Sequence, residues 1–441
     1  MGTRSFINAT SRQRGVPLAG HKPGGEDGQP AFVHQPGRSE KPLRLRFDVT
    51  LLLVTLSLVI FGVLMVYSAS ADFSYRNYGD ATLVFERQLR WLGLGSVGFV
   101  IAMWFDYHRW RTLPALGLMI LAIVGLVAVL FVQDERFGAV RSLLSGSVQP
   151  SELAKLAIVI YLSVWLYNRR DQIHYWTFGI IPLSVIMGSL GSLIYAQPDY
   201  SALVTIILLG GMLFFLAGGD LRQLLIVALF SALFSALVLR SGFIPTGEAR
   251  ISSFWSGIQD PFQYSDHVRA SLEAFIRGGW FGVGIGKSET KLLGLPFPHT
   301  DSIFAVVGEE TGVLGAATLV ILYALLMWRS LVIARRAPDA LGSLMAAGLG
   351  FWLMAEACIN MAVMVGLLPF AGNALPFITA GGSSLIVSMV AVGVILNVSR
   401  QAIENKEQEE RSFNALVNLR RWDRRRRVSR PRGSTSRKSK D

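Results

Sequence analysis

The sequence predicts an all-α polytopic membrane protein of about ten transmembrane helices, with a long extracytoplasmic loop between helices 7 and 8. Three observations predict it. Of 441 residues, 51% are hydrophobic and only 16% charged, and mean hydropathy is +0.44. Long apolar windows recur along the chain, and a helix of about 20 such residues crosses the hydrocarbon core of a bilayer. Basic clusters fall on every second connection, the asymmetry that keeps Lys and Arg on the cytoplasmic side. An ordinary soluble enzyme is excluded. The formal charge of +12 does not argue for nucleic acid, because much of the basic excess lies in the two tails. There it records cytoplasmic placement beside anionic lipid. Cys358 is the single cysteine, so no internal disulfide is available, and its place in a hydrophobic run reads as packing.

Residues 1–46 are polar and rich in Gly, Pro and Arg, which reads as a disordered basic cytoplasmic tail without a cleavable signal. The first span, 49–67, follows Lys41, Arg44 and Arg46 and so starts inside. The second covers 91–105, and His108, Arg109 and Arg111 form the basic return turn. Spans three and four are 113–132 and 152–167, the latter ending before Arg169 and Arg170. The fifth is 178–196 and the sixth 202–216; Gly218, Gly219 and Asp220 turn the chain into the seventh, 224–239. The loop 244–302 comes next. Spans eight to ten are 303–328, 341–368 and 385–398, and a basic cytoplasmic tail, 401–441, carries the run Arg424 to Arg427. A ten-helix membrane domain, 47–400, puts both termini inside and the loop outside. No internal repeat is visible, which weakens an inverted-repeat transporter.

The loop region is polar where its flanks are apolar. It holds Arg250, Asp260, Asp266, His267, Arg269, Glu273, Arg277, Lys287, Lys291, His299 and Asp301. Long loops joining packed elements commonly carry function, because the scaffold positions reactive groups they hold. Glycines from Gly278 to Gly286 lack the preceding strand and downstream acid of a dinucleotide fingerprint, and read as a flexible or tightly turning segment. Ionisable groups also occur within the helices, where they are costly and point to function. Glu152 and Lys155 are three apart on one helix face and can partly neutralise each other. Asp199 begins the sixth span, Glu309 and Glu310 sit early in the eighth, and Glu356 and Asn360 share the ninth. Each alone reads equally well as a helix cap or interhelical hydrogen bond. Together they favour a polar cavity opening outward.

Several motifs then appear in order. GVLMVYSAS closes the first span, FGAVRSLLSGSVQPSELAK leads into the fourth, and QPDYSAL precedes the sixth. FW and DPF stand in the loop, HTDSIF and GEETGVLG end it, and INMAVMVGLLPFAGNALPFITAGGSSL precedes the last helix. This ordered set resembles the SEDS family of bacterial cell-wall polymerases, the FtsW/RodA/SpoVE-like proteins of shape, elongation, division and sporulation. The resemblance implies a peptidoglycan glycosyltransferase that polymerises lipid II into β-1,4 glycan at the outer face of the bacterial cytoplasmic membrane. It further implies a class B penicillin-binding protein as partner, with other divisome or elongasome membrane proteins. The family's essential aspartate maps to Asp260.

Chemistry selects the same residue, since a positioned carboxylate can serve as base to an acceptor hydroxyl. Arg250, Arg269, Lys287 and Lys291 are candidates for stabilising the departing pyrophosphate. His299 and Asp301 are a second acid–base pair or, preferred, structural or substrate-orienting groups; Glu152 and Lys155 complete the substrate-binding set. A divalent cation, Mg²⁺ or Mn²⁺, could share the phosphate work, although no ligand cluster demands one. The sequence departs from the family pattern at Ser142, at Ser265, Asp266 and His267, at Ala270 and at Ser302. Two other functions remain open: a flippase for a lipid-linked precursor, and a non-catalytic recruiter of a penicillin-binding protein.

Overall fold

Asp48 starts the helical region, its carboxylate accepting a hydrogen bond from Leu51 N at 2.9 Å. That cap satisfies an N–H that the first helical turn cannot pair for itself. The computed structural model describes residues 47–131, 148–240 and 245–428. The predicted N-terminal tail, the end of the C-terminal tail, and Ser142 with the Arg141 segment lie outside the described residues. Among the described residues every regular element is a helix. In order these are α1 (Val49–Tyr78), α2 (Leu83–Trp104), α3 (Leu113–Phe131), α4 (Pro150–Arg169), α5 (Ile180–Tyr195), α6 (Tyr200–Leu216) and α7 (Leu221–Arg240). Then come α8 (Pro245–Gln259), α9 (Asp266–Gly278), α10 (Thr290–Leu293), α11 (Ile303–Arg336), α12 (Ala340–Met364) and α13 (Gly382–Val428).

Six of these, α1, α3, α4, α11, α12 and α13, are long and apolar enough to cross a membrane. Shorter apolar helices occupy 180–195, 200–216 and 221–233. In α4, α12 and α13 more than 70% of the apolar window is buried, 78%, 72% and 83%, against 28% in α3 and 33% in α11. Those three form the interior, which is why α4 and α12 can carry charged side chains. The α2–α13 pairing is close because of small residues: a Cβ at Gly393 would lie 2.6 Å from Phe99 O. Close backbone approach through glycine is how helices pack where lipid offers no hydrophobic drive.

The hydropathy windows misplace several boundaries. Helix α1 runs to Tyr78, past the predicted end at 67, because its polar Ser68, Ser70 and Ser74 are buried against neighbours. It stops where Gly79 takes a left-handed conformation, φ +73. Helix α2 begins at Leu83, eight positions before 91, with a polar turn that a hydropathy window rejects. Helix α12 ends at Met364 and not 368, and Gly366 turns the chain at φ +74. The predicted loop is itself largely helical, holding α8, α9 and α10. Cys358 is exposed on α12, on the side away from buried Glu356, so it does not pack into the core.

The two ends of the bundle differ. At one, Arg329 near the end of α11 pairs with Asp48, and Tyr107 Oη donates to Asp339 Oδ1 at 2.9 Å. Gln401 donates to Asp106 Oδ1 at 2.7 Å at the same end. At the other, Ser68 of α1 meets Glu310 of α11 and Lys291 of α10. The segment from α8 to α10 belongs to this second end.

Candidate active site

The loop turns sharply after α8 because Pro261 fits the first position of a helical turn and Asp260 caps it. Asp260 has extended backbone, φ −138 and ψ 109, and precedes a 3-10 turn over Pro261–Gln263. Its Oδ1 accepts from Phe262 N at 3.0 Å and its Oδ2 from Gln263 Nε2 at 3.2 Å. A carboxylate offers about four acceptor positions. Two are used here, both by neutral donors, and the side chain is half-buried. Among the described residues no Lys, Arg or His lies within ion-pairing distance of it.

A chain of ring contacts fixes the corner that follows. The His267 ring lies nearly parallel to Phe370, with centroids 4.1 Å apart, and to Phe297 at 6.1 Å. Its Nδ1 is 3.3 Å from Ser302 Oγ, just before α11. The Arg250 guanidinium sits 5.5 Å from the Phe370 ring centre and 5.7 Å from that of Tyr200. Such cation–π contacts favour a cation that is partly desolvated. These contacts join α8, α9, the start of α6, the approach to α11 and the α12–α13 connection. Burial pushes the His267 pKa down to about 4, with Asp266 opposing and Arg250 assisting, so the ring is neutral at pH 7.

The other predicted residues are distributed more widely than the sequence suggested. Arg269 pairs with Asp266 at 3.1 Å, both exposed. Lys287 is exposed. The Lys291 side chain is only 4% exposed; its Nζ lies 3.3 Å from Glu310 and donates to Ser68 O at 3.1 Å. Four cations therefore do not gather around one phosphate position: Arg269 and Lys291 already have carboxylate partners, and Arg250 stands on the aromatic network. His299 is buried against Phe73, ring centres 4.3 Å apart, and burial lowers its pKa to about 4. Its backbone carbonyl accepts from Ala380 N at 2.9 Å. Asp301 is half-buried, and its carbonyl accepts from Asn360 Nδ2 at 2.9 Å.

Two adjacent carboxylates hold the far half of the loop. Glu309 accepts from Ser288 Oγ, from Glu289 N at 3.0 Å and from Thr290 N at 3.3 Å, so it closes the N-terminus of α10. Glu310 accepts from Ser68 Oγ at 2.6 Å and pairs with Lys291. Backbone bonds reinforce them: Val283 N to Glu309 O at 3.0 Å, Gly284 N to Glu310 O at 3.1 Å and Val313 N to Gly279 O at 2.9 Å. Helix α11 opens at Gly312, φ +69, to receive this segment. The glycine string is therefore a tight packing element. Gly282 has φ +79, and a Cβ there would lie 2.3 Å from Glu310 O.

With six long apolar helices, three shorter ones and this anchored polar loop in view among the described residues, residues 49–404 match the Cell cycle protein family, FtsW/RodA/SpoVE. The chain belongs to this family. It is 36% identical over 365 residues to a "Probable peptidoglycan glycosyltransferase FtsW" of Trichlorobacter lovleyi, covering 81% of this chain and 95% of that one. It is 36% identical over 358 residues to the stage V sporulation protein E of Bacillus subtilis, covering 80% and 97%. Among solved structures, a chain of a peptidoglycan synthase complex described as coordinating polymerization and crosslinking aligns with TM-score 0.67 and 26% identity, over 81% and 99% of the two chains. The rod shape determining protein RodA of Thermus thermophilus aligns at TM-score 0.60 and 26% identity, over 81% and 98%.

In this FtsW/RodA/SpoVE-family chain the Glu152–Lys155 pair read from the sequence is present, and Glu356 extends it to a buried triad. Lys155 Nζ lies 2.7 Å from Glu152 Oε1 and also contacts Glu356 of α12. All three side chains are at most 5% exposed. The third member is separated by 201 positions, so only tertiary packing brings it in. Asp199, at the start of α6, is both a helix cap and an interhelical hydrogen-bond acceptor. It is buried and receives Gln149 Nε2 and Ser151 Oγ, each at 2.9 Å, as well as Ala202 N at 3.2 Å, so it binds the starts of α4 and α6 together.

Proposed function

We infer that this chain is a peptidoglycan glycosyltransferase of the bacterial cytoplasmic membrane, acting in cell division or growth, and that it polymerises lipid II at the outer face. The supporting observation is the state of Asp260. Asp266, Glu273 and Glu289 are each paired with an arginine, and Glu309 and Glu310 hold the loop in place. Asp260 has two unused acceptor positions and a rigid corner around it, which suits a base awaiting a hydroxyl proton. In the reaction Asp260 takes the proton of the acceptor 4-hydroxyl as its oxygen attacks the anomeric carbon of the donor. The bond to undecaprenyl pyrophosphate breaks, its electron pair leaves with the pyrophosphate, and the configuration inverts to β. Arg250, on the helix that ends at Asp260, is the cation best placed to meet the developing phosphate charge. Among the described residues no group of three or more His, Cys, Asp or Glu gathers to hold a metal ion.

We read α1–α7 and α11–α13 as the ten spans, with both termini cytoplasmic. A class B penicillin-binding protein would crosslink the strands made here, the division of labour described for the synthase complex whose chain aligns with this one. The flippase reading needs accessible polar groups along a path, whereas the Glu152–Lys155–Glu356 triad is closed off. The deciding experiment measures polymer formed from labelled lipid II by purified protein with its co-expressed partner. Asp260→Asn keeps size and shape but removes the base, and such groups contribute about 10²–10⁴-fold. Glycan synthesis should fall by roughly that factor while partner co-purification survives. Normal polymerisation by Asp260→Asn would remove the assignment, and with Asp301→Asn inactive would transfer it to Asp301.

A further inference from the structure

A cleft of about 510 Å³ lies between the outer turns of α1 and the segment 291–298. We propose that it is a saccharide-binding subsite holding non-reacting sugar units of the glycan strand, a role that rests on the polymerase reading above.

Position argues first. The exposed large apolar residues of α1 are Val49, Leu53, Leu56, Ile60, Leu64, Tyr67, Tyr75 and Tyr78. They form one stripe, the lipid-facing side. At roughly 100° per residue, Phe73 and Arg76 project from about the opposite side of the same helix, with Asp72 and Asn77 on its flanks. The cleft they line therefore faces away from hydrocarbon, and a lipid tail is the wrong occupant.

Chemistry argues second. The lining mixes both signs, with Asp72, Arg76 and Lys291, and Lys291 already faces Glu310. That composition does not select a polyanion. It suits a neutral, hydroxyl-rich ligand: a carboxylate and an amide accept, an amide and a planar guanidinium donate. Phe73 and Phe297 add ring faces for the C–H faces of a pyranose. Phe73 is held by the His299 ring behind it. Phe297 keeps φ +50, a conformation costly for a bulky residue and maintained only where the surroundings impose it. Its ring also lies parallel to His267, in the corner that carries Asp260. Phe297 thus links the cleft to the start of α9, the helix that follows the turn capped by Asp260. Its volume falls in the range of small-molecule sites, enough for a short oligosaccharide and too small for a folded partner.

The test uses the full chain in lipid nanodiscs and a soluble β-1,4-linked N-acetylglucosamine tetramer as probe. The tetramer should bind wild type and Asp260→Asn alike. Binding should weaken by roughly tenfold in Phe73→Leu and in the exposed double variant Arg76→Ala/Asn77→Ala, the loss of one aromatic or polar contact set. Polymer made from labelled lipid II should become shorter in both variants. Unchanged tetramer affinity in both, or displacement of the tetramer by inorganic phosphate, would overturn the proposal. If wild type made no polymer, the polymerase reading would fail while the tetramer titration still decided the cleft.

Discussion

Asp260 and Lys155 show opposite uses of charge. Asp260 has neutral donors and open acceptor positions at a half-exposed corner. Lys155 is sealed between two carboxylates. Lys155→Met would leave Glu152 and Glu356 facing each other without a cation, and removing one partner of a buried ion pair costs about 3–5 kcal/mol. Thermal unfolding in nanodiscs should show that loss, and the triple replacement Glu152→Gln/Lys155→Met/Glu356→Gln should recover most of it. Equal destabilisation by both would mean the triad is not electrostatically coupled. His299 makes a different prediction. An unfolded histidine titrates near 6.5, whereas burial holds His299 at about 4. Between those values the unfolded chain binds a proton that the native chain refuses, so stability rises with pH there. This contribution is complete above pH 6.5, declines as pH falls towards 4, and is level below it; the full span is on the order of 3 kcal/mol. His299→Phe keeps a ring against Phe73 and should flatten the decline between pH 6.5 and 4.5. An unaltered slope would show that His299 accepts a proton in the native state. The Glu152–Lys155 contact was legible from its spacing, because local helix geometry defines it. The second partner of Lys155 was not, because nothing in α4 specifies which residue of α12 will face it.

At the scale of elements, the loop is held by α11 and not by its own hydrophobic content. Helix α9 presents Val268, Ser271 and Ala274 inward and charged residues outward, and α10 is a single turn. A hydropathy filter tuned to membrane spans passes over both, which is why the region reads as a loop in the sequence. Their closure depends on Glu309. Glu309→Ala leaves Ser288 Oγ and the Glu289 and Thr290 N–H groups without their acceptor. Stranded buried donors cost about 1–3 kcal/mol, and the change should be local. Hydrogen exchange should accelerate across 283–293 while α4, α12 and α13 keep their protection. Glycan synthesis should drop with it, since Lys291, which lines the proposed saccharide cleft, sits on this segment. Uniform acceleration through the bundle would make Glu309 a determinant of global folding instead.

At the scale of the molecule, orientation decides whether the site can meet its substrate. The alternation of basic clusters was legible in the sequence, and the structure adds which clusters share an end. Helix α1 begins beside Arg329 and meets Lys291 and Glu310 at Ser68, so it links the two ends. Arg335 and Arg336 close α11 at the first end, and the turn carrying Tyr107, His108 and Arg109 meets Asp339 there. Lys and Arg near helix ends mark the cytoplasmic side, which supports the proposed placement of the Asp260 corner on the outer side. The tails could not have established this alone, because a basic tail reports only its own placement. A reporter inserted after Tyr264 should therefore read as extracytoplasmic, and one after Arg336 as cytoplasmic. The insertion points are suited to the purpose: Tyr264 lies in the short link between the 3-10 turn and α9, and Arg336 ends α11. The reverse pair of signals would place Asp260 inside the cell, where the acceptor strand of an external wall is absent. The base assignment and the saccharide cleft would then fall together, whatever Asp260→Asn did to the rate.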